Sequence, residues 1–467
     1  MKHPSLSELE IRFQRLQQTP SWSVTERRQR LQELHDALIR HSEPLVTAIN
    51  RDFGRRGDGE TRLADISLVR ADIRHNRKHL MQWARPRTVS TGIKFWPSRA
   101  RLVPQPLGVV GIISPWNYPV NLALCPLSAA VAAGNRVMLK PSELTPQTNA
   151  VLRTILSEAF RPNEVAVVEG DADTAAAFTR LPFGHLLFTG STAVGRKVMQ
   201  SAACQLTPVT LELGGKSPVI LDDDAPLKKS MDSVMAGKLF NAGQSCIAPD
   251  YVLIDPASRE QVLQQTAASC RALYPGNVLD NPDYTAIINE HHFQRLENLL
   301  QDLPDTSLHW PLGTITPAHR ERRIFPPVLV LNPPASSPLM QEEIFGPILP
   351  IIEAAGLEAK INIINSRPHP LTIYFFGHRP QAIRQVRNHT LSGSLCVNET
   401  MVQFAQDNLP FGGVGESGLG RYHGQAGFET FSHLKPVYYQ SRLNPNHLIR
   451  PPYSAWKKRL IDYLGRL

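Results

Sequence analysis

Cysteine is scarce in this sequence, which has only five among 467 residues, and the five lie far apart. No two of them form a CxxC pair and their number is odd, so neither a disulfide framework nor a cysteine-based zinc site is expected. The sixteen histidines show no ligand spacing, and the adjacent His291 and His292 are expected at the surface. The sequence therefore predicts a protein without a metal that works in the reducing cytoplasm.

Long apolar runs are also missing. None reaches the roughly 18 residues of a membrane-spanning helix, and the first residues, MKHPSLSELEIRF, lack the apolar core of a secretion signal. The formal charge of +9 is spread along the chain, so we expect no nucleic-acid binding, although the charge suits an anionic cofactor. The basic, amphipathic tail SAWKKRLIDYLGRL is expected to pack on its own subunit.

What the chain does contain is an alternation of strand-like and helix-like segments. After a helical N-terminal part, the apolar runs LGVVGIISP, NRVMLK, EVAVVEG and HLLFTGS stand between helix-like stretches. The alternation restarts after residue 214 with PVIL, DYVLID and TIYFF. Such a pattern indicates parallel sheets covered by helices on both faces, and the length favours two domains in tandem. We therefore predict an α/β fold with two doubly wound domains.

One cysteine has unusual neighbours. In the stretch FNAGQSCIAP, Cys246 follows Asn241, Gly243, Gln244 and Ser245. A polar turn that contains glycine is poor core material, but it can expose a thiol and orient backbone N–H groups toward an oxyanion. Many cysteines serve only as small buried apolar residues, which is the interpretation for the other four. From this segment alone, Cys246 is either a nucleophile or a bystander.

Two polar residues are candidates for acid–base and oxyanion chemistry. Glu212, in LELGGKSP, stands between two leucines and before two glycines. A carboxylate in such partly apolar surroundings has a raised pKa, which suits a general base, but a salt-bridged strand residue is the simpler alternative. Asn117, in SPWNYP, lies on a loop stiffened by two prolines. It is either an amide donor to a developing negative charge or an ordinary turn residue.

Turns that follow two of the strands are candidates for binding an anionic cofactor. In FTGSTAVG, Gly190 and Gly195 lie between a strand and a helix, where phosphate can approach the backbone and the helix N-terminus. The spacing G-x-x-x-x-G fits a plain tight turn equally well. In KPSE, Lys140 and Glu143 follow a strand end, where a doubly wound sheet holds a ribose.

A long glycine-rich loop, LPFGGVGESGLGRYHG at 409–424, is expected to face a substrate. In their order and spacing, the motifs together resemble the NAD(P)-dependent aldehyde dehydrogenase superfamily: PWNYP, KPSE, FTGSTAVG, LELGGKSP, FNAGQSC, EEIFGP and LPFGGVGESGLG. The resemblance runs from about residue 10 to residue 440. The short N-terminus, INSRPHPLTIYFF and the RYHG ending are most similar to the class 3-type branch, and within it to bacterial coniferyl aldehyde dehydrogenases.

The resemblance implies a role for each matched residue. It makes Cys246 the nucleophile, Glu212 the general base and Asn117 the oxyanion-hole amide, acting with the backbone N–H of Cys246. The residues matched to the cofactor site are Trp116, Lys140, Glu143, Gly190, Ser191, Gly195, Glu343 and Phe345. The implied reaction oxidises an aromatic or medium-chain aldehyde to the carboxylic acid with NAD; NADP is the alternative cofactor, disfavoured by charge repulsion from Glu143.

The resemblance also implies a domain division and a homodimer. The implied parts are an NAD-binding domain (1–85 and 105–213), a catalytic domain (214–428), a bridging and oligomerisation element (86–104 and 429–442) and a C-terminal tail (443–467).

Two residues depart from the family pattern. Glu399 and Gln403 stand where relatives tend to carry Asp and His, so the substrate stays open; it depends on residues around Tyr118, Leu122 and 401–409. Two other functions are weighed. Transfer of the acyl group to coenzyme A is disfavoured because Glu212 supplies a base for hydrolysis. A catalytically silent binding protein is disfavoured because the nucleophile and the base are both intact.

Overall fold

The structure is a computed structural model that describes residues 4–92, 95–443 and 445–466. Residues 1–3, 93–94, 444 and 467 lie outside the described residues. They belong to the predicted NAD-binding domain, bridging element and C-terminal tail, respectively, with 444 and 467 both in the tail. The α-helices are α1 Leu6–Gln17, α2 Val24–Arg40, α3 Ser42–Phe53, α4 Asp58–Thr61, α5 Leu68–Trp83, α6 Asn121–Ala133, α7 Pro146–Ala159, α8 Ala172–Phe178, α9 Thr192–Ala203, α10 Leu227–Leu239, α11 Arg259–Leu273, α12 Glu290–Asn298, α13 Pro317–Glu321, α14 Pro338–Gln341, α15 Gly356–Asn365, α16 Pro380–His389, α17 Gly424–Thr430 and α18 Ala455–Arg466.

The strands form three sheets. Their bounds are β1 Arg87–Val89, β2 Arg99–Pro106, β3 Val109–Ile113, β4 Arg136–Lys140, β5 Val165–Val167, β6 His185–Thr189, β7 Val209–Glu212, β8 Pro218–Leu221, β9 Tyr251–Ile254, β10 Leu308–His309, β11 Val328–Leu331, β12 Ile348–Glu353, β13 Thr372–Phe376, β14 Ser394–Val397, β15 Gly418–Leu419 and β16 Ser432–Tyr439. All seven strand segments predicted from the sequence are present, and the α/β prediction is confirmed.

The first sheet has the order β15-β7-β6-β3-β4-β5, and all of its neighbours are parallel except β15 and β7. The central strands β3, β4 and β6 are buried along their whole length, as continuous apolar runs in a helix-covered parallel sheet should be. From β3 the chain first proceeds outward to β4 and β5 and then returns to β6 on the other side. The carboxyl ends of β3 and β6 therefore flank the topological switch point, where doubly wound sheets bind ligands.

The second sheet has the order β10-β11-β12-β9-β8-β13-β14, and it is parallel except at β10. Helices α10 and α11 pack together against one of its faces, and their buried residues join one apolar cluster with those of β8 and β9. The 3₁₀ turn Phe240–Gly243 directly follows α10 and precedes β9. Cys246 therefore lies on the connection that enters the amino end of the central strand β9.

A third, small sheet, β1-β2-β16, joins residues distant in the sequence. Strand β16 pairs antiparallel with β2 along eight residues, from Ser432 against Pro106 to Tyr439 against Arg99. Helix α18 follows this sheet, and none of its residues is buried. The prediction that the tail packs on its own subunit is therefore wrong for this protomer, because its apolar side chains, Trp456 and Tyr463 among them, stay exposed.

Candidate active site

The turn that carries Cys246 is held in an unusual backbone conformation. Asn241 and Ala242 have φ angles of 53° and 51°, and Gly243 has a φ of 76°. Left-handed residues in a row cost conformational energy, and they persist only where surrounding contacts fix them. A Cβ atom at Gly243 would collide with the backbone carbonyl of Gly346, so glycine is required there. The turn is a rigid support for the partly buried thiol of Cys246.

The polar residues of this turn are buried, contrary to the expectation from the sequence. Asn241 and Gln244 are completely inaccessible to solvent. The Gln244 side chain donates to the carbonyls of Asn241 and Ala286, both at 3.0 Å, and accepts from the N–H of Ile288 at 3.0 Å. The Gln244 amide is fully hydrogen-bonded to backbone, so its burial leaves no polar group unpaired, whereas Asn241 Oδ1 is buried without a partner among the described residues.

Asn117 lies beside the same turn. It occupies the loop between β3 and α6, at the switch point of the first sheet, and is buried. Its side-chain amide Nδ2 donates to the carbonyl of Gln244 at 3.1 Å, and its own carbonyl accepts from Asn241 Nδ2 at 3.1 Å. The Asn117 amide thus contacts the cysteine turn at Gln244, two residues before Cys246 in the sequence.

Glu212 ends strand β7 and is buried between Leu211 and Leu213. Among the described residues neither of its carboxylate oxygens has a hydrogen-bond partner, and no ion pair includes it. The salt-bridged alternative is therefore wrong. Burial raises the pKa of Glu212 well above its usual range. An unpaired buried carboxyl is costly for stability, and such groups concentrate at functional sites.

Glu343 and Phe345 lie on the loop between α14 and β12. Phe345 has a φ of 50°, and its ring packs edge-on against Trp116 at 5.5 Å between centroids. Burial and the nearby carboxylate of Asp250 raise the pKa of Glu343 to about 8. A Cβ atom at Gly214 would overlap the Glu343 carboxylate, so the glycine makes room for it. The loop therefore carries a carboxyl and an aromatic ring into the region of Glu212 and Trp116.

An apolar pocket of about 340 Å³ leads to Cys246. It is lined by the predicted Tyr118, Leu122 and Met401, as well as by residues that sequence reasoning missed. Those are Leu63, Ala64 and Leu68 from the turn before α5, and Ala236, Gly237 and Phe240 from the end of α10. Such a pocket suits a small molecule with an apolar body and one reactive polar end.

Comparisons with known proteins agree with this arrangement. A model of the aldehyde dehydrogenase family matches residues 13–437. The chain belongs to the aldehyde dehydrogenase family.

Individual relatives are similar over nearly the whole chain. A probable coniferyl aldehyde dehydrogenase of Pseudomonas aeruginosa is 45% identical over 444 residues, covering 95% of this chain and 92% of the relative. Coniferyl aldehyde dehydrogenase of Pseudomonas sp. HR199 is 43% identical, with 96% and 93% covered. The solved structure of Staphylococcus aureus AldH in a substrate-bound state superposes with a TM-score of 0.93 at 34% identity, with 98% and 99% covered.

As an aldehyde dehydrogenase, the protein oxidises aldehydes to carboxylic acids and uses NAD or NADP. The other residues matched to a cofactor site lie at the carboxyl ends of strands in the first sheet. Lys140, at the end of β4, pairs with Glu143 at 2.8 Å; the lysine is buried and the carboxylate exposed. Ser191 is the N-cap of α9, where its hydroxyl accepts from the N–H of Val194 at 3.4 Å.

Two glycines make this turn compatible with a bound phosphate. At Gly190 a Cβ atom would press on the Phe188 ring at 2.6 Å, and at Gly195 on the side chain of Leu213 at 2.6 Å. The strand-to-helix connection is therefore closely packed, and the N-terminus of a twelve-residue helix is presented at the switch point. Both the phosphate-binding and the plain-turn alternatives require such a turn, so its packing does not distinguish them.

A frame of charged residues around the Glu343 loop was missed by sequence reasoning. Lys216 forms an ion pair with Asp250 and donates to the Glu342 carbonyl at 2.8 Å. Asp250 Oδ2 accepts from the N–H of Ile344 at 3.0 Å. Arg295, from α12, donates to the Glu343 carbonyl at 3.3 Å and also binds the Ile344 carbonyl. Of these residues, only Lys216 lies inside a recognised motif, LELGGKSP. Asp250 and Arg295 lie in segments that contain no motif.

Several sequence-based expectations need correction. No residue of the glycine-rich loop 409–424 lines the pocket. Instead β15 in this loop pairs with β7, register Gly418 to Glu212, and so supports the carboxyl-bearing strand. Gln403 also leaves the pocket, because its amide donates to Thr372 Oγ1 at 3.1 Å. Cys204 is exposed rather than buried.

Of the two adjacent histidines, His291 is exposed as expected, but His292 differs from expectation. His292 is half-buried and its ring packs against Trp116 at 5.2 Å between centroids. Burial, with the nearby charges of Arg295 and His291, lowers the pKa of His292 to about 4, so the ring is neutral at physiological pH. Among the residues that the structure describes, no group of three His, Cys, Asp or Glu side chains could hold a metal ion. Within the same described ranges, no helix is both long and apolar enough to cross a membrane.

The pKa of Cys246, the nucleophile candidate, is raised, although a nucleophilic cysteine reacts as the thiolate. Burial, and then the carboxyl groups of Glu343 and Glu212, raise the pKa of the Cys246 thiol above its usual range. The described groups around Cys246 therefore disfavour its thiolate. The same coupling shows that both carboxyl groups lie close enough to act electrostatically on the sulfur.

Proposed function

We propose that Cys246 is the nucleophile of this aldehyde dehydrogenase. Its sulfur attacks the aldehyde carbon, so a C–S bond forms, the thiol proton is released, and the carbonyl π electrons move onto oxygen to give a thiohemiacetal. The observation that carries this proposal is the position of the thiol. Cys246 lines the apolar pocket, the Asn117 amide binds the Gln244 carbonyl two residues before it, and the unpaired Glu212 carboxyl is near enough to raise its pKa.

Asn117 stabilises the oxyanion of that intermediate. A side-chain amide carries two hydrogens, and the bond to Gln244 engages one of them. The second, together with the backbone N–H of Cys246, donates to the oxyanion as charge develops on it. An oxidised nicotinamide held beside Trp116 and Phe345 would supply the hydride acceptor for this intermediate, and loss of that hydride from the former aldehyde carbon would leave a thioester on Cys246.

Glu212 completes the cycle as general base. Its carboxylate takes a proton from water, the resulting hydroxide attacks the thioester carbon, and the C–S bond breaks to release the carboxylic acid and regenerate Cys246. An unpaired, buried carboxyl suits this role because its raised pKa makes it a stronger base than an exposed glutamate.

The residues present fit a dinucleotide. Glu343 Oε1 is a buried oxygen without a partner among the described residues, and it is available to a ribose hydroxyl. Trp116 and Phe345 supply aromatic walls for the nicotinamide, while Gly190, Ser191 and Gly195 provide the phosphate turn. Lys140 and Glu143 hold the adenosine ribose. Because Glu143 is negatively charged, NAD is the preferred cofactor and NADP the poorer alternative.

The substrates are aromatic aldehydes such as coniferaldehyde, or medium-chain aliphatic aldehydes. Two relatives bear the name coniferyl aldehyde dehydrogenase, and the pocket offers an almost wholly apolar wall of adequate size. The single charged group on its lining, Glu399, is exposed, and its carboxylate accepts a hydrogen bond from Ser233.

The chain assembles as a homodimer through its small sheet and works in the cytoplasm. Strand β14 is the unpaired edge of the second sheet, and β16 the edge of the third. An exposed strand edge is an open template for pairing with another chain, so β16 of one protomer completes the sheet of its partner at β14. Five free cysteines support a reducing compartment. Light scattering on the purified protein tests the dimer.

The proposed domain division follows the sheets: an NAD-binding domain (1–85 and 105–213), a catalytic domain (214–428), the bridging element (86–104 and 429–442) and the tail (443–467). One detail crosses this division, since β15 lies within 214–428 but pairs with the first sheet.

A panel of aldehydes, including coniferaldehyde, benzaldehyde and hexanal, tests the proposed substrates, with NADH or NADPH absorbance as the signal. We expect NADH formation from at least one aromatic or medium-chain aldehyde, with a lower kcat/KM when NADP replaces NAD. No reduced cofactor from any aldehyde would overturn the proposal. A requirement for coenzyme A would show acyl transfer instead of hydrolysis.

A further inference from the structure

An arginine is completely buried behind the loop that carries Asn117. Arg56 lies between α3 and α4 and has no accessible surface, which is rare for this residue type. A buried guanidinium is costly unless its charge and donors are matched by fixed partners. Its placement therefore requires specific contacts, and these contacts all lead to one loop.

Arg56 contacts the middle of this loop, at Asn117. Its Nη1 donates to the backbone carbonyl of Asn117 at 3.0 Å. Its guanidinium carbon lies 5.0 Å from the ring centroid of Phe53 and 5.1 Å from that of Tyr118, within cation–π distance of both. Arg56 thus touches the oxyanion-loop backbone and the pocket residue next to it.

The partner of Arg56 contacts the end of the loop. Arg56 Nη2 lies 3.0 Å from Oδ2 of Asp65, which is also fully buried. The other oxygen, Asp65 Oδ1, accepts from the backbone N–H groups of Val120 and Asn121, each at 3.1 Å. These N–H groups begin α6, so the carboxylate satisfies donors that a helix N-terminus leaves open. One ion pair therefore fixes both ends of the segment 117–121.

We propose that Arg56, supported by Asp65, is a positioning residue for acylation: it fixes the backbone of Asn117 so that the side-chain amide meets the oxyanion. The inference rests on the oxyanion role proposed for Asn117. A displacement of about 1 Å at a reacting group costs about a hundredfold in rate. The carbonyl of Asn117 is shared between Arg56 and Asn241 from the cysteine turn, so the arginine sets the distance between loop and nucleophile.

The chain offers a matched control in the preceding residue. Arg55 also donates to backbone carbonyls, those of Tyr284, Leu279 and Val278, at 2.6 to 2.8 Å. These carbonyls belong to a segment that does not line the pocket. The variants Arg55→Met and Arg56→Met therefore remove the same functional group from neighbouring positions, and only the second releases the Asn117 loop.

The experiment measures the rate of the pre-steady-state NADH burst, steady-state kcat and the Kd for NAD in both variants. We expect Arg56→Met to lower the burst rate and kcat by about 10- to 100-fold while the Kd for NAD changes by less than about twofold. Arg55→Met should retain both rates within about threefold at temperatures below its own unfolding transition. Equal burst rates in the two variants would overturn the inference.

A double-mutant cycle separates positioning from general destabilisation. In an Asn117→Ala background, Arg56→Met should lower the burst rate by less than about twofold, because the amide it positions is gone. A full, multiplicative loss would overturn the inference. If Arg56→Met does not fold, Arg56→Lys replaces it in both the wild-type and the Asn117→Ala backgrounds. We then expect a smaller loss of burst rate in the wild-type background and no loss in the Asn117→Ala background.

The same cycle distinguishes this inference from the proposed function. A normal burst in Asn117→Ala would refute the oxyanion role of Asn117 and, with it, the positioning role of Arg56. A slow burst in Asn117→Ala together with a normal burst in Arg56→Met would refute Arg56 alone.

Discussion

The side-chain amide of Asn117 and the backbone carbonyl of Gln244 are joined by a 3.1 Å hydrogen bond. This bond connects the switch-point loop of the first sheet to the cysteine turn, which leads into the central strand β9 of the second sheet. Because both segments are buried and otherwise hydrogen-bonded, the distance between the amide and Cys246 is set by the meeting of two sheets. The candidate site therefore lies at the junction of the two sheets.

Replacement of Asn117 tests the importance of this junction for the chemistry. Asn117→Ala should lower kcat by about 10²- to 10³-fold, because an oxyanion donor is lost while nucleophile and base remain. The Kd for NAD, measured by fluorescence titration, should stay near that of the wild type. Asn298→Ala, an exposed amide at the end of α12, is the control and should leave both constants unchanged. Unchanged kcat in Asn117→Ala would contradict the oxyanion role.

The space at Gly214 should control how Glu343 meets the cofactor. In Gly214→Ala the new methyl group would overlap the Glu343 carboxylate, so the carboxylate must move away. We expect the KM for NAD to rise about tenfold or more, the cost of one lost charge-assisted hydrogen bond. Gly59→Ala provides the matched control because nothing lies within 4 Å of its added Cβ. If both variants bind NAD equally well, Glu343 does not hold the ribose.

The elements that sequence reasoning found are those specified by local patterns. All seven predicted strands are short apolar runs, and six of them are buried along their whole length, with only β5 partly exposed. The parallel class follows from their alternation with helices. The threonine before Pro146 is typical of a helix start, and Thr145 is indeed the N-cap residue of α7, yet its hydroxyl donates to the Ser142 carbonyl instead of capping the helix. A local pattern gives the boundary of a helix more reliably than the hydrogen bond that closes it.

The site residues that were missed are held together by contacts between distant segments. Arg56, Lys216, Asp250 and Arg295 act through backbone carbonyls and N–H groups of other loops, and backbone atoms carry no sequence signature. The burial of the polar cysteine turn was missed for the same reason. Its amides look solvent-exposed in the sequence, but their partners come from elsewhere in the chain.

A buried carboxyl on α5, Asp72, should make stability fall as the pH rises from about 4 to about 8. Burial raises the pKa of Asp72 to about 8, with Asp407 adding to the increase and a bond to Ser128 opposing it. The folded protein therefore binds a proton that the unfolded chain, with an ordinary carboxyl pKa near 3.9, has already lost. This contribution to stability is fully present below about pH 4 and is lost as pH rises toward 8.

Chemical denaturation at pH 6 and pH 9 measures this effect. Asp72→Asn keeps an oxygen that accepts from Asn76 Nδ2 but cannot ionise, so its free energy of unfolding should fall less than that of the wild type between the two pH values. Asp302→Asn, at an exposed position, should follow the wild type. A steeper alkaline decline in Asp72→Asn than in the wild type would contradict a raised pKa.

The pre-steady-state NADH burst in Glu212→Gln and Cys246→Ala tests the account most directly. If Cys246 carries the acyl group and Glu212 activates water, Cys246→Ala gives no burst and no turnover. Glu212→Gln gives a burst of about one NADH per active site followed by turnover slowed about 10²- to 10⁴-fold, because hydrolysis alone is impaired. A burst in Cys246→Ala, or equal loss of burst and turnover in Glu212→Gln, would contradict it.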